Sequence, residues 1–118
     1  TMKVLGKLPA LKYLHFDNSN VLNFNTTFSV VPNIEYLSFK NSHLDYFPTG
    51  VFSFPNLKTL DLTGNDFKFL SNDIYKLSNL QELYLTNDFY LNMSQAIGVL
   101  SMVKNLRILH LENILMGN

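Results

Sequence analysis

Residues 57–67 read LKTLDLTGNDF, and two readings compete for them. An Asp-Leu-Thr-Gly run (residues 61–64) has the form of loops that hold a catalytic carboxylate. The alternation Leu60-Asp61-Leu62 instead has a period of two, the mark of a short strand with one face buried. The sequence on either side of the stretch decides between them.

The stretch is one copy of a repeat. Five segments open on an apolar residue, at Leu11, Ile34, Leu57, Leu80 and Leu106, with steps of 23, 23, 23 and 26 residues. Apolar residues recur three and five places after each anchor: Leu14/Phe16, Leu37/Phe39, Leu60/Leu62, Leu83/Leu85 and Leu109/Leu111. Another apolar column follows ten places after the anchor, at Val21, Leu44, Phe67, Tyr90 and Met116. Two more lie upstream: Leu8, Val31, Phe54, Leu77 and Val103 at minus three, and Leu5, Phe28, Val51, Ile74 and Leu100 at minus six. Asn33, Asn56, Asn79 and Asn105 precede four of the five anchors, and Pro9, Pro32 and Pro55 stand two places before Leu11, Ile34 and Leu57.

These columns describe one structural unit. The plus-three and plus-five pair is a strand face, and the minus-six and minus-three pair has helical or 3-10 spacing on a return limb. A unit of strand, turn and return limb cannot bury its apolar face alone, so the units must stack around a continuous core. The residues seven after each anchor, Asn18, Asn41, Gly64, Asn87 and Asn113, all suit a tight turn after the strand. The Asn before each anchor is expected to accept turn or left-handed backbone geometry. The fourth return limb is three residues longer, and Ser94–Lys104 places Met93, Ile97, Leu100 and Val103 at helical spacing, which predicts an α-helix with Ser94 or Asn92 as N-cap.

LKTLDLTGNDF resembles the strand signature of the leucine-rich repeat family, LxxLxLxxNxL, with Asn65 at the Asn position and Phe67 as the last apolar residue. LKYLHFDNSNV and IEYLSFKNSHL match it with Ser19 and Ser42 there, LQELYLTNDFY with Asp88 and LRILHLENILM with Ile114. The resemblance spans nearly the whole chain. It implies an α/β leucine-rich-repeat solenoid: one domain over residues 1–118, about five repeats long and a segment of a longer array. The parallel sheet lines the concave side, with strands near 12–17, 35–40, 58–63, 81–86 and 107–112, and 3-10 or short helices lie behind it. It also implies that the Asn side chain bonds the turns of neighbouring units, a role Ser fills in part and Ile114 cannot fill. Met2–Ala10 reads as the tail of a preceding repeat.

Composition narrows the function classes. Nine basic and nine acidic residues are interspersed for zero net charge, which disfavours a nucleic-acid groove and an anionic membrane surface. With no cysteine there is no disulfide, thiolate metal site or cysteine nucleophile. No apolar run approaches the roughly 20 residues a membrane helix requires. An apolar content of 47% supports a packed core.

The repeat frame assigns every strand residue an address. Positions two, four and six after the anchor point to the open face of the sheet. This makes the candidate ligand-binding set Tyr13, His15, Asp17, Tyr36, Ser38, Lys40, Asp61, Glu82, Tyr84 and His110. Asp61 falls in a column with His15, Ser38, Tyr84 and His110, an address that demands no particular chemistry, and its neighbours there are not bases. His15 and His110 lie four strands apart, roughly 19 Å at about 4.8 Å per strand, too far to share a metal. No glycine-rich phosphate loop is present. The expectation is therefore no enzyme activity, no catalytic or metal-ligating residue and no cofactor. Tyrosine with scattered charge is the composition of protein-binding surfaces. The resemblance implies a protein or peptide partner, with host-surface binding common among bacterial members, which leans towards a bacterial secreted or cell-surface protein. The alternatives are a carbohydrate or glycolipid receptor, with Tyr13, Tyr36 and Tyr84 stacking on sugar rings, and a structural spacer in a larger protein.

Overall fold

Five strands of three residues each form one parallel sheet in sequence order: β1 (Tyr13–His15), β2 (Tyr36–Ser38), β3 (Thr59–Asp61), β4 (Glu82–Tyr84) and β5 (Ile108–His110). The computed structural model describes residues 2–20, 24 and 29–114. Each strand sits inside the window its apolar alternation predicts. Register follows the repeat frame, with Leu14, Leu37, Leu60, Leu83 and Leu109 paired in succession. The longer fourth unit leaves this register intact, since Glu82 still pairs with Ile108.

The return limbs carry the helices. Short 3-10 turns span Met2–Lys7, Thr49–Ser53 and Ile74–Lys76, and the extended fourth limb forms α1 (Met93–Leu100). Asn92 caps α1, its side chain accepting the Gln95 amide at 3.0 Å. The helix stops at Leu100, short of Lys104, and its buried face differs from the expected one. Ala96 is fully buried and Ile97 is 48% exposed, because the stripe through Met93, Ala96 and Leu100 leaves Ile97 at its edge.

The core lies between the sheet and the return limbs. Leu37, Phe39, Leu60, Leu62, Leu83 and Leu85 have no exposed surface, while their counterparts in the outer strands, Leu14, Phe16, Leu109 and Leu111, are half-buried. The upstream columns are buried at Val51, Phe54, Ile74, Leu77, Leu100 and Val103, but Leu8, beside the first strand, is 47% exposed. In the plus-ten column Leu44 and Phe67 are buried, whereas Tyr90 faces out and Leu91 takes the inward place. The chain turns there through a Leu91 amide to Asp88 carbonyl bond, and the extra residues of the fourth unit shift the inward position by one. Val21, Phe28 and Met116 lie outside the described residues.

Two side-chain ladders join the units. In the first, the Asn65 side chain accepts the amides of Ser42 and Leu44 and donates to the carbonyls of Phe39 and Leu62. Ser42 in turn accepts the Ser19 amide and donates to the Phe16 carbonyl. In the second, the Asn before each anchor donates to the preceding unit: Asn33 to Leu8, Asn56 to Pro32, Asn79 to Pro55 and Asn105 to Ser78. None of these four has positive φ, so their side-chain amides, rather than left-handed geometry, explain the column. Positive φ belongs to the residues seven after the anchors, Asn18, Asn41, Gly64, Asn87 and Asn113, with values of 53–74°, and also to His43.

Candidate binding face

Parallel pairing in strict register brings the candidate residues into two rows. Tyr13, Tyr36, Thr59, Glu82 and Ile108 are successive partners across the sheet, as are His15, Ser38, Asp61, Tyr84 and His110. Asp17 and Lys40 follow the strand ends, where the Asp17 carboxylate accepts the Lys40 amide at 2.9 Å.

At the β1–β2 end the rings form one cluster. Tyr13 and Tyr36 lie 5.7 Å apart between centroids, and His15 lies 5.0 Å from Tyr36. Tyr13 is 67% exposed. Burial, and then the nearby Asp61 carboxylate, hold the Tyr36 hydroxyl above its ordinary pKa, so it remains a donor. Asp17 anchors the cluster from below. Its burial favours the neutral acid, yet the Ser38 hydroxyl, the Lys40 amide and His15 outweigh that and hold its pKa below the usual value.

At the β4–β5 end Tyr84 and His110 stack at 3.9 Å and 3°, and His110 Nε2 lies 2.9 Å from the Glu82 carboxylate. Glu112 accepts from the Thr86 hydroxyl at 2.8 Å. Along one rim Lys12, Glu35 and Lys58 alternate in sign, with contacts of 3.3 and 3.5 Å. Lys12 holds the Glu35 carboxyl below its ordinary value.

The middle of the face differs from its two ends. Ser38 and Asp61 point to the open side by register but are buried, with 0% and 2% exposure. The Ser38 hydroxyl donates to Asp17. Asp61 Oδ1 accepts both the amide and the hydroxyl of Thr63, at 3.0 and 2.6 Å, and Lys40 Nζ lies 3.7 Å from its other oxygen. The Asp-Leu-Thr-Gly run is thus a strand ending in an Asx-type turn closed by Gly64 at φ +74°. Its carboxylate is occupied in holding that turn. Among the described residues no group of three His, Cys, Asp or Glu side chains could hold a metal.

A recess that the strand addresses do not reveal lies on the flank beyond the strand ends. About 400 Å³ in volume, it opens between Tyr46 and Phe69 over the buried rings of Phe47 and Phe67, with Asp45 and Asp66 at its margin. Tyr46 and Phe69 stand twelve places after the second and third anchors, two exposed aromatics at one repeat position that would have marked it. Among the described residues no helix is long and apolar enough to cross a membrane.

The family model described as leucine rich repeat matches residues 32–88. That span runs from the Pro-Asn pair before β2 to the end of the turn after β4. No curated protein matches the chain. Leucine-rich repeats generally mediate protein–protein interaction and are typically non-enzymatic.

Proposed function

We propose that this chain, which matches the leucine rich repeat model over residues 32–88, binds a protein or peptide partner across the open face of its sheet. The observation that carries this reading is the pair of aromatic clusters at opposite ends of that face. Tyr13, Tyr36 and His15 offer an anchor site at one end, and Tyr84 with His110 offers another. Rings on a hydrogen-bonded sheet lose little freedom on binding, which favours affinity. Asp17, Ser38 and Asp61 position these rings and Lys40 from beneath, while Lys40 and Glu82 set the charge a partner meets. An extended segment with an apolar anchor over β1–β2 and a basic group near Glu82 and Glu112 fits the face.

The test is selection of displayed peptides on the folded protein, followed by counter-selection on a Tyr13→Ala/Tyr36→Ala/Tyr84→Ala variant of verified fold. Peptides that bind the protein and not the variant carry the proposal. Peptides that bind both equally place recognition elsewhere on the surface. Glycan-array binding that Tyr36→Ala abolishes would replace the peptide reading with the carbohydrate one.

A further inference from the structure

The first ladder contains a side chain of a different kind. Asp88 stands where Asn65 stands one unit earlier, and it has no exposed surface. Its Oδ1 does what Asn65 Oδ1 does, accepting the amide of the preceding ladder residue, here Asn65 itself, at 2.7 Å. The other half of the side chain is where the two residues part. Asn65 Nδ2 donates to two strand carbonyls, Phe39 and Leu62, both at 2.9 Å. Asp88 Oδ2 has no hydrogen-bond partner among the described residues. By repeat equivalence the counterparts of those carbonyls are Leu62 and Leu85, two oxygens that an ionised carboxylate repels.

We propose that Asp88 is a protonated rung of this ladder. Its Oδ2–H donates to a strand carbonyl where Asn65 presents an amide, and the junction between the third and fourth units weakens when that proton leaves. An unpaired anion in this dry slot carries a large desolvation cost, and neutralisation is the ordinary escape from it. The local charges act in the same direction. Asp61 at the end of β3 and Asp66 in the turn that follows are both carboxylates, and both oppose a second negative charge. The Asn65 and Gly64 amides favour the anion. Burial and these two carboxylates outweigh them and push Asp88 up to about 8. The fifth unit supplies no polar rung beyond it, since Ile114 occupies the ladder position, and the Asp88 amide bonds back to Leu85.

The sign follows from the raised value. The folded protein keeps a proton that the unfolded chain releases near the ordinary carboxylate value. The contribution of Asp88 is therefore complete at low pH and declines as pH rises towards 8. Across that window the folding constant changes about tenfold per pH unit for one proton.

The experiment is urea denaturation of the protein and of Asp88→Asn from pH 5 to 8. The expected result is a folding constant that falls about tenfold per pH unit in the protein relative to the variant, with Asp88→Asn the more stable at pH 8. Groups common to both proteins cancel from the difference. Parallel pH profiles overturn the proposal. A readout that does not depend on the variant folding is the carboxyl carbon resonance of Asp88 in the unmodified protein. A protonated shift persisting above pH 7 supports the rung, and a midpoint near 4 sinks it.

Discussion

Asn65 Oδ1 accepts the backbone amide of Ser42 at 3.2 Å, across 23 residues of chain and one unit of the array. The same side chain also serves Leu44, Phe39 and Leu62, so four buried backbone groups depend on one residue.

Asn65→Ala should therefore cost about 3–5 kcal/mol, because it leaves buried donors and acceptors without partners or water. Asn79→Ala removes a bond of similar form, but an exposed one, and water replaces it at a cost below about 1 kcal/mol. Urea midpoints of the two variants, compared at one pH, check the contrast. Equal losses would mean that the two ladders contribute alike.

Leu60→Ala should destabilise by about 2–5 kcal/mol, because it opens a cavity at a fully buried central position. Leu14→Ala, the same change on the half-buried first strand, should cost roughly half as much or less. Thermal or urea unfolding distinguishes them.

Gly64→Ala drives a Cβ into the Asn41 side-chain oxygen at a φ of +74°. The left-handed backbone alone costs about 1–2 kcal/mol, and the clash adds to it. Adding Asn41→Gly removes the clash and leaves the backbone cost. The double variant should be more stable than the sum of the single effects, and simple additivity in a double-mutant cycle would count against the contact.

Asp17 contributes to the acid limb of stability. Its folded pKa lies below the ordinary 3.8, so the charged form is favoured in the folded state. Its contribution is present above the unfolded value and is lost as pH falls through the lowered folded value. Asp17→Asn should flatten the decline in stability below about pH 4, and Ser38→Ala should shift the same limb upward in pH. Acid titration followed by circular dichroism reads both.

The strand positions and their register could be read from the spacing of leucines because stacked units need an apolar residue at every equivalent inward place. The turn asparagines were readable for a related reason, since few residues accept positive φ. Two kinds of feature were not. Tyr90 falls in a unit of altered length, where a column count carried from the other units points one residue off, and Leu91 is buried in its place; Ile97 has helical spacing, but the buried stripe of α1 runs through Ala96 instead. Ser38 and Asp61 have the expected direction but not the expected exposure. Short side chains in inner strands sink below longer neighbours and bond sideways, which an address alone does not reveal. The site set thus divides into exposed or half-buried rings and charges at the ends and a buried polar support between them. Asp88 did carry a signal, an acid at an asparagine position, whose meaning required the unpartnered Oδ2.

The α1 limb shows where this architecture accepts change. Three additional residues entered the fourth unit, and the Glu82–Ile108 pairing on the sheet did not move. The sheet side behaves like a screw thread of constant pitch, and the opposite side like slack rope between its turns. A loop, tag or sensor peptide spliced at the exposed Ser101–Met102 turn, past the buried stripe of α1, should ride outside the thread, making that turn the natural port for grafting new cargo onto this protein.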